Sequence, residues 1–207
     1  MIVEHETPTG LTRAHLEQVP DARGALILGH GAGGGISAPD LVAAKRAAMG
    51  AGVAVVLVEQ PYRVAGRRSP APARQLDVAW ISVVERLRER ELRDLPLILG
   101  GRSSGARVAC RTAAMLAARG VLCLAFPFQP PSRRPSALSI PNRLGELEAV
   151  PVPVLIVQGS GDPFGIPPRA PGREVITVRG NHSLRSDLGA VEHEVGVWLP
   201  VVLASAS

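Results

Sequence analysis

The sequence predicts an α/β protein whose central strands are covered on both faces. Three observations predict it. Six short apolar runs recur along the chain, at Ala25–Leu28, Val53–Val58, Leu97–Leu99, Val121–Ala125, Val154–Val157 and Val175–Val178. These runs are continuous rather than alternating, as strands with helices on each side must be. Segments with helical spacing of apolar residues lie between several of them.

The elements follow in order. Ile2–Glu6 and Leu11–Val19 alternate polar and apolar residues around a Pro8-Thr9-Gly10 turn, so they are expected to pair as an antiparallel edge. Ser37-Ala38-Pro39-Asp40 reads as a capping box that opens a helix toward Met49, with Gly50 and Gly52 ending it. Leu76, Trp80, Val83, Val84 and Leu87 recur at helical spacing and predict an amphipathic helix over Ala73–Arg90. Ser104–Ala118, rich in small residues, predicts a tightly packed central helix. Leu188, Val191, Val195, Trp198 and Leu199 mark one face of a last helix, which Pro200 is expected to kink or end. Phe126–Pro141 is rich in proline and polar residues without a strong helix signal, and Arg143–Glu148 is expected to supply a short turn. No repeat or linker divides the chain, so residues 1–207 are read as a single domain.

Composition narrows the function classes. Hydrophobic residues make up 46% of the chain and charged residues 20%, a globular rather than a disordered balance. No apolar run approaches the roughly 20 residues that a membrane span needs. The first residues, Met1-Ile2-Val3-Glu4-His5-Glu6, lack the basic start and apolar block of a secretory signal. A cytoplasmic location is therefore expected. Cys110 and Cys123 lie in apolar stretches without metal-type spacing, which fits two buried thiols in a reducing compartment. Net charge is +5, and Lys45 is the single lysine among 23 basic residues. Such a surface can attract nucleic acid. However, aromatics are only 3%, which leaves few stacking platforms, and the arginines are spread along the chain. A solvated basic surface is the expectation, with neither nucleic acid nor membrane as a partner.

The chemistry is carried by four loops. The first is Leu97-Ile98-Leu99-Gly100-Gly101-Arg102-Ser103-Ser104-Gly105, an apolar strand running into Gly-x-Ser-x-Gly and then into a helix. A nucleophile elbow requires that context. The strand-to-helix turn is sharp and its nucleophile strained, so the residues two positions away on each side must be small. Gly101 and Gly105 frame Ser103 in this way, whereas Ser104 has Arg102 at its −2 position. A serine hydroxyl needs a base, and the base needs an orienting acid. In this class of enzyme the chain order is Ser, then Asp or Glu, then His. Asp162, in Gly159-Ser160-Gly161-Asp162-Pro163-Phe164, directly follows one strand; His182, in Arg179-Gly180-Asn181-His182-Ser183, directly follows the next. All three loops leave strand carboxyl ends, where open α/β sheets bind ligands. Asp187 is the alternative acid. His5 and His15 on the edge hairpin, and His193 within the last helix, are poorly placed as bases.

The fourth loop is Gly29-His30-Gly31-Ala32-Gly33-Gly34-Gly35, after the first buried strand. Acyl transfer develops negative charge on a carbonyl oxygen, which backbone N–H groups must meet. The Ala32 and Ser104 N–H groups are the expected oxyanion donors, and His30 is expected to shape the loop. The same loop also matches Gly-x-Gly-x-x-Gly, with Glu59 where a ribose-binding acid would sit, so dinucleotide binding is the rival reading. Against it, the helix opens only near Ser37, and the rival leaves Ser103, Asp162 and His182 unexplained.

These residues together carry a resemblance. The chain resembles capless α/β-hydrolases of the dienelactone-hydrolase-like kind. Within them it is most similar to the testis-expressed 30 proteins and to the hydrolase-like region of a regulatory subunit of the NSL chromatin complex. The stretches are His30-Gly31-Ala32-Gly33-Gly34, Gly101–Arg107, Phe126-Pro127-Phe128-Gln129-Pro130-Pro131, Gly159–Pro163 and Asn181-His182-Ser183. The resemblance implies a mostly parallel eight-stranded sheet with helices on both faces, and Ser103, Asp162 and His182 as a triad. The family more often has Met at 104 and Gly at 106, and a His where Gln129 stands.

The expected function is hydrolysis of a carboxylic ester or thioester of a small molecule through an acyl-enzyme, with no metal or organic cofactor. A non-catalytic binding or scaffold protein on the same fold is the alternative. Phe126, Phe128 and Phe164 are expected to line an acyl pocket. Arg102, Arg133, Arg134, Arg169 and Arg185 are expected near the same edge, where they would favour acidic substrates.

Overall fold

A computed structural model describes residues 1–130 and 142–205. Arg133 and Arg134 lie outside them. Eight strands form one sheet in the order β1-β2-β4-β3-β5-β6-β7-β8. They are β1 (Ile2–Thr7), β2 (Gly10–Glu17), β3 (Ala25–Gly29), β4 (Ala54–Glu59), β5 (Leu97–Arg102), β6 (Gly120–Leu124), β7 (Val154–Gly159) and β8 (Arg173–Val178). β2 runs antiparallel to both β1 and β4, and every other pairing is parallel. All eight predicted strands are present.

The continuous apolar runs are explained by two cores, one on each face. Along β3, Ala25 and Ile27 face the core that holds Trp80, Val83 and Val108, while Leu26 and Leu28 face the one that holds Leu41, Val191 and Trp198. The second face is covered by α1 (Pro39–Gly50) and α6 (Leu188–Ala204), and the first by α3 (Ala73–Glu89), α4 (Ser104–Thr112) and α5 (Leu144–Glu148).

Several details differ from expectation. α1 begins at Pro39 with Ala38 as N-cap and no side-chain cap, so Ser37 forms no capping box. Asp40 is instead fully buried and pairs elsewhere. A four-residue helix, α2 (Pro61–Val64), was not expected. α4 ends at Thr112 rather than Ala118, because the chain turns over 113–117 and Ala117 takes a positive φ of 45°. Pro200 does not end α6; the helix gives up one internal hydrogen bond there and continues to Ala204. The two cysteines are buried, as expected, and their sulfurs lie 3.5 Å apart as free thiols.

Candidate active site

β5 reaches the carboxyl edge of the sheet through Gly100 and Gly101 and turns straight into α4. Ser103, at the N-cap of α4, has φ 52° and ψ −107°. A non-glycine residue held there costs on the order of 1–3 kcal/mol and persists only where its surroundings enforce it. Close packing against β3 enforces it. A methyl group on Gly101 would lie 2.4 Å from the Gly29 carbonyl oxygen, and one on Gly105 2.3 Å from the same atom. The flanking glycines are thus required by the neighbouring strand as well as by the turn itself.

The loop after β7 carries Asp162. Its Oδ1 accepts from the Phe164 N–H at 2.9 Å, closing a local turn. Its Oδ2 accepts from Gln158 Nε2 at 2.8 Å and contacts His182 Nδ1 at 2.8 Å. The loop after β8 carries His182. Leu184, buried in the core, anchors it, and the Leu184 N–H donates to the Asn181 carbonyl at 3.1 Å. The loop lies so close to the end of β7 that a methyl group on Gly159 would be 2.4 Å from the Asn181 oxygen. His182 Nε2 is 2.9 Å from Ser103 Oγ. With the carboxylate of Asp162 accepting from Nδ1–H, Nε2 is free to accept from the serine hydroxyl. The structure therefore brings Ser103, His182 and Asp162 into one hydrogen-bonded row. Asp187, by contrast, caps α6 by accepting from the Ala190 N–H.

The glycine-rich loop lies beside this row. Among the described residues, neither the Ala32 nor the Ser104 N–H donates to a protein acceptor. Ser104 N–H is an unpaired donor of a helix first turn, where the dipole favours negative charge. The Ala32 carbonyl accepts from the Tyr62 hydroxyl at 3.1 Å, which fixes the loop from α2. His30 is buried, and its Nε2 accepts from the Gln60 N–H at 3.1 Å. Nδ1 therefore carries the proton, facing the Gly31 oxygen at 2.9 Å. Burial, the largest influence, holds its pKa below the ordinary histidine value. Gly33 and Gly34 have open space where a side chain would start, whereas a methyl group on Gly29 would lie 3.2 Å from Gly105 Cα and one on Gly31 2.7 Å from Arg102 Nη1. Glu59 contacts His15 Nε2 at 2.9 Å, so the acid that the dinucleotide reading needed is already engaged.

The predicted aromatic lining needs one correction. Phe126 is completely buried and packs in the core beneath the sheet edge, so it offers no surface to a substrate. Phe164 packs against His182 with ring centroids 4.4 Å apart and planes tilted by 43°, and Phe128 is partly exposed. Arg102 is also not free for substrate. Its Nε pairs with Asp40 Oδ2 at 2.9 Å, and its Nη2 donates to the His182 carbonyl at 3.0 Å. Arg169 Nε donates to the Val175 carbonyl at 3.1 Å.

Sequence reasoning missed Gln158, Asp40, Tyr62 and Gly159. Gln158 left a signal: it is the one polar residue closing an otherwise apolar strand, directly before the acidic loop. It is fully buried, and its amide donates to the Phe126 and Gly165 carbonyls as well as to Asp162.

The alpha/beta hydrolase domain family matches residues 22–185 of the chain. No curated protein matches it. Among solved structures, a lidless α/β serine hydrolase from Xanthomonas campestris is 22% identical, with a TM-score of 0.73 over 97% of this chain and 95% of the other. A dienelactone hydrolase from Anabaena variabilis is 16% identical, with a TM-score of 0.75 over 97% and 96%. An esterase domain from a Rhodothermus marinus protein is 17% identical, with a TM-score of 0.70 over 96% of each chain. At these identities the likeness is one of fold.

Proposed function

We propose, because this chain belongs to the alpha/beta hydrolase domain family, that it is a serine hydrolase cleaving a carboxylic ester or thioester through an acyl-enzyme. The observation that carries this reading is the row from Ser103 through His182 to Asp162, with contacts of 2.9 and 2.8 Å.

Ser103 Oγ attacks the acyl carbon while His182 Nε2 takes its proton. Asp162 fixes the His182 tautomer and stabilises the imidazolium. The carbonyl oxygen becomes an oxyanion that meets the N–H groups of Ala32 and Ser104. One such donor is worth about 3–4 kcal/mol of transition-state stabilisation. When the carbonyl re-forms, His182 gives the proton to the departing alkoxide or thiolate. Water then enters, His182 deprotonates it, and the same steps in reverse release the carboxylic acid and restore Ser103.

Phe128 and Phe164 flank the acyl group in this reading. A preference for acidic substrates loses Arg102, which is engaged by Asp40 and His182. No cofactor is assigned a step. The narrower kinship with testis-expressed 30 proteins rests on the five motif stretches. The proposed cytoplasmic setting rests on two free buried cysteines. Among the described residues no helix is long and apolar enough to cross a membrane.

The test is labelling by a fluorophosphonate probe, comparing wild type with Ser103→Ala. Labelling that vanishes in the variant supports the reading. A folded wild type that does not label points to a binding protein on this fold. Labelling that survives in Ser103→Ala means that another serine reacts.

A further inference from the structure

Asp40 is a fully buried carboxylate in the first turn of α1, and burial, the largest influence on it, pushes its pKa up. Its partner Arg102 is largely buried too, with 17% of its side chain exposed. A buried ion pair is poor value for stability alone, since apolar residues of the same volume often serve as well or better. The pair therefore calls for another explanation, and its geometry supplies one. The Arg102 guanidinium touches three separate segments. Nε meets Asp40 at 2.9 Å and Nη2 donates to the His182 carbonyl at 3.0 Å. Nη1 lies against the glycine-rich loop, so closely that a methyl group on Gly31 would be 2.7 Å from it. Its own backbone directly precedes Ser103.

We propose that Arg102, held by Asp40, is a positioning residue that fixes the His182 loop and the Gly31–Ala32 loop relative to the nucleophile elbow. The role rests on the reading of Ser103 as nucleophile and His182 as base. In that reading the Ser103–His182 hydrogen bond is lost each time Ser103 is acylated, yet His182 must stay in place to activate water. The Arg102 contact is to the His182 main chain and persists through that interval. Arg102 also packs against the loop carrying the Ala32 N–H, which therefore leans on the same group. A planar guanidinium with a fixed fork of donors can span the three partners, whereas a lysine ammonium is a single point of charge that reaches Asp40 alone. Arg102 touches no substrate in this role, so its effect belongs on kcat and not on KM.

The test compares full-length wild type, Arg102→Lys and Asp40→Asn by thermal unfolding, by fluorophosphonate labelling rate, and by kcat and KM on a short p-nitrophenyl ester. Amide hydrogen exchange over 181–184 is followed as well. Arg102→Lys, which keeps a cation for Asp40, is expected to melt near wild type and to label about tenfold more slowly. Its kcat falls by a similar factor at unchanged KM, and exchange over 181–184 speeds up. If Arg102→Lys does not fold, Asp40→Asn, which keeps the guanidinium but loosens its anchor, must show the same pattern. Wild-type kcat and exchange in the folded variants overturn the proposal, as does a raised KM at unchanged kcat, which would make Arg102 a substrate contact. A wild type that neither labels nor turns over ends the serine-hydrolase reading itself. The exchange comparison still decides the positioning role in that case.

Discussion

Gly105 in α4 lies directly on Gly29 at the end of β3, so close that a methyl group at 105 would sit 2.3 Å from the Gly29 oxygen and 2.5 Å from its carbonyl carbon. Both partners are backbone, so neither can move aside as a side-chain tip would. Gly105→Ala is expected to destabilise the protein by about 3 kcal/mol, the upper end of the range for overpacking. Urea denaturation of the variant against wild type measures it. Gly34→Ala is the contrast, because nothing lies within 4 Å of that position and its stability is expected to be unchanged.

Gln158 holds Asp162 from behind: its Nε2 donates to Asp162 Oδ2 and to the Phe126 and Gly165 carbonyls, while its buried Oε1 has no partner among the described residues. Gln158→Leu keeps the volume and removes a hydrogen bond to a charged group, an interaction worth about 1.5–3 kcal/mol. In the proposed mechanism kcat falls between roughly tenfold and a hundredfold, and KM for a small ester changes little. Steady-state kinetics checks the split.

His30 predicts a pH dependence of stability. Burial holds its folded pKa below the ordinary value of about 6.5. As pH falls through 6.5 the unfolded chain takes up a proton that the folded chain refuses. The contribution of neutral His30 is therefore present above that pH and is lost as the pH falls below it. Melting temperatures between pH 7 and pH 5 should decline more steeply for wild type than for His30→Gln, which cannot titrate.

Cys123 is fully buried against Cys110, and the sulfur–sulfur contact first, then burial, push its thiol pKa well up. The thiolate is the reactive form. Iodoacetamide at pH 8 is expected to leave both cysteines of the native protein unmodified and to alkylate both after denaturation, which mass spectrometry reads directly.

How much of this was legible in the sequence depends on whether the partners are local. Each strand carried its own apolar run, and Ser103, Asp162 and His182 each followed such a run, so their shared sheet edge could be inferred. The apolar run ends at Leu99, because glycine breaks it, although the β5 backbone stays extended to Arg102. Asp40 read as a capping residue because local spacing offered that role. Its actual partner, Arg102, is 62 positions away, and no spacing rule encodes that pairing. Phe126 read as pocket lining because it begins a loop, whereas its side chain still points into the core. Ala113–Ala118 has the composition of a helix, but the backbone turns back there, with the Ala118 N–H donating to the Ala113 carbonyl, to bring Gly120 into register beside β5.

β8 has a single neighbour, β7, and closes the sheet on one side. Ser103, the proposed nucleophile, leaves an interior strand, while His182, the proposed base, hangs from this outermost one. Fraying of a sheet margin requires less free energy than global opening. Mild denaturant should therefore detach His182 from Ser103 while β3, β4, β5 and their elbow remain folded. Such a molecule keeps most of its ellipticity and its strained serine, yet has lost the proton acceptor of the proposed mechanism. Inactivation should run ahead of unfolding, and the gap between the two transitions measures how firmly the margin is held.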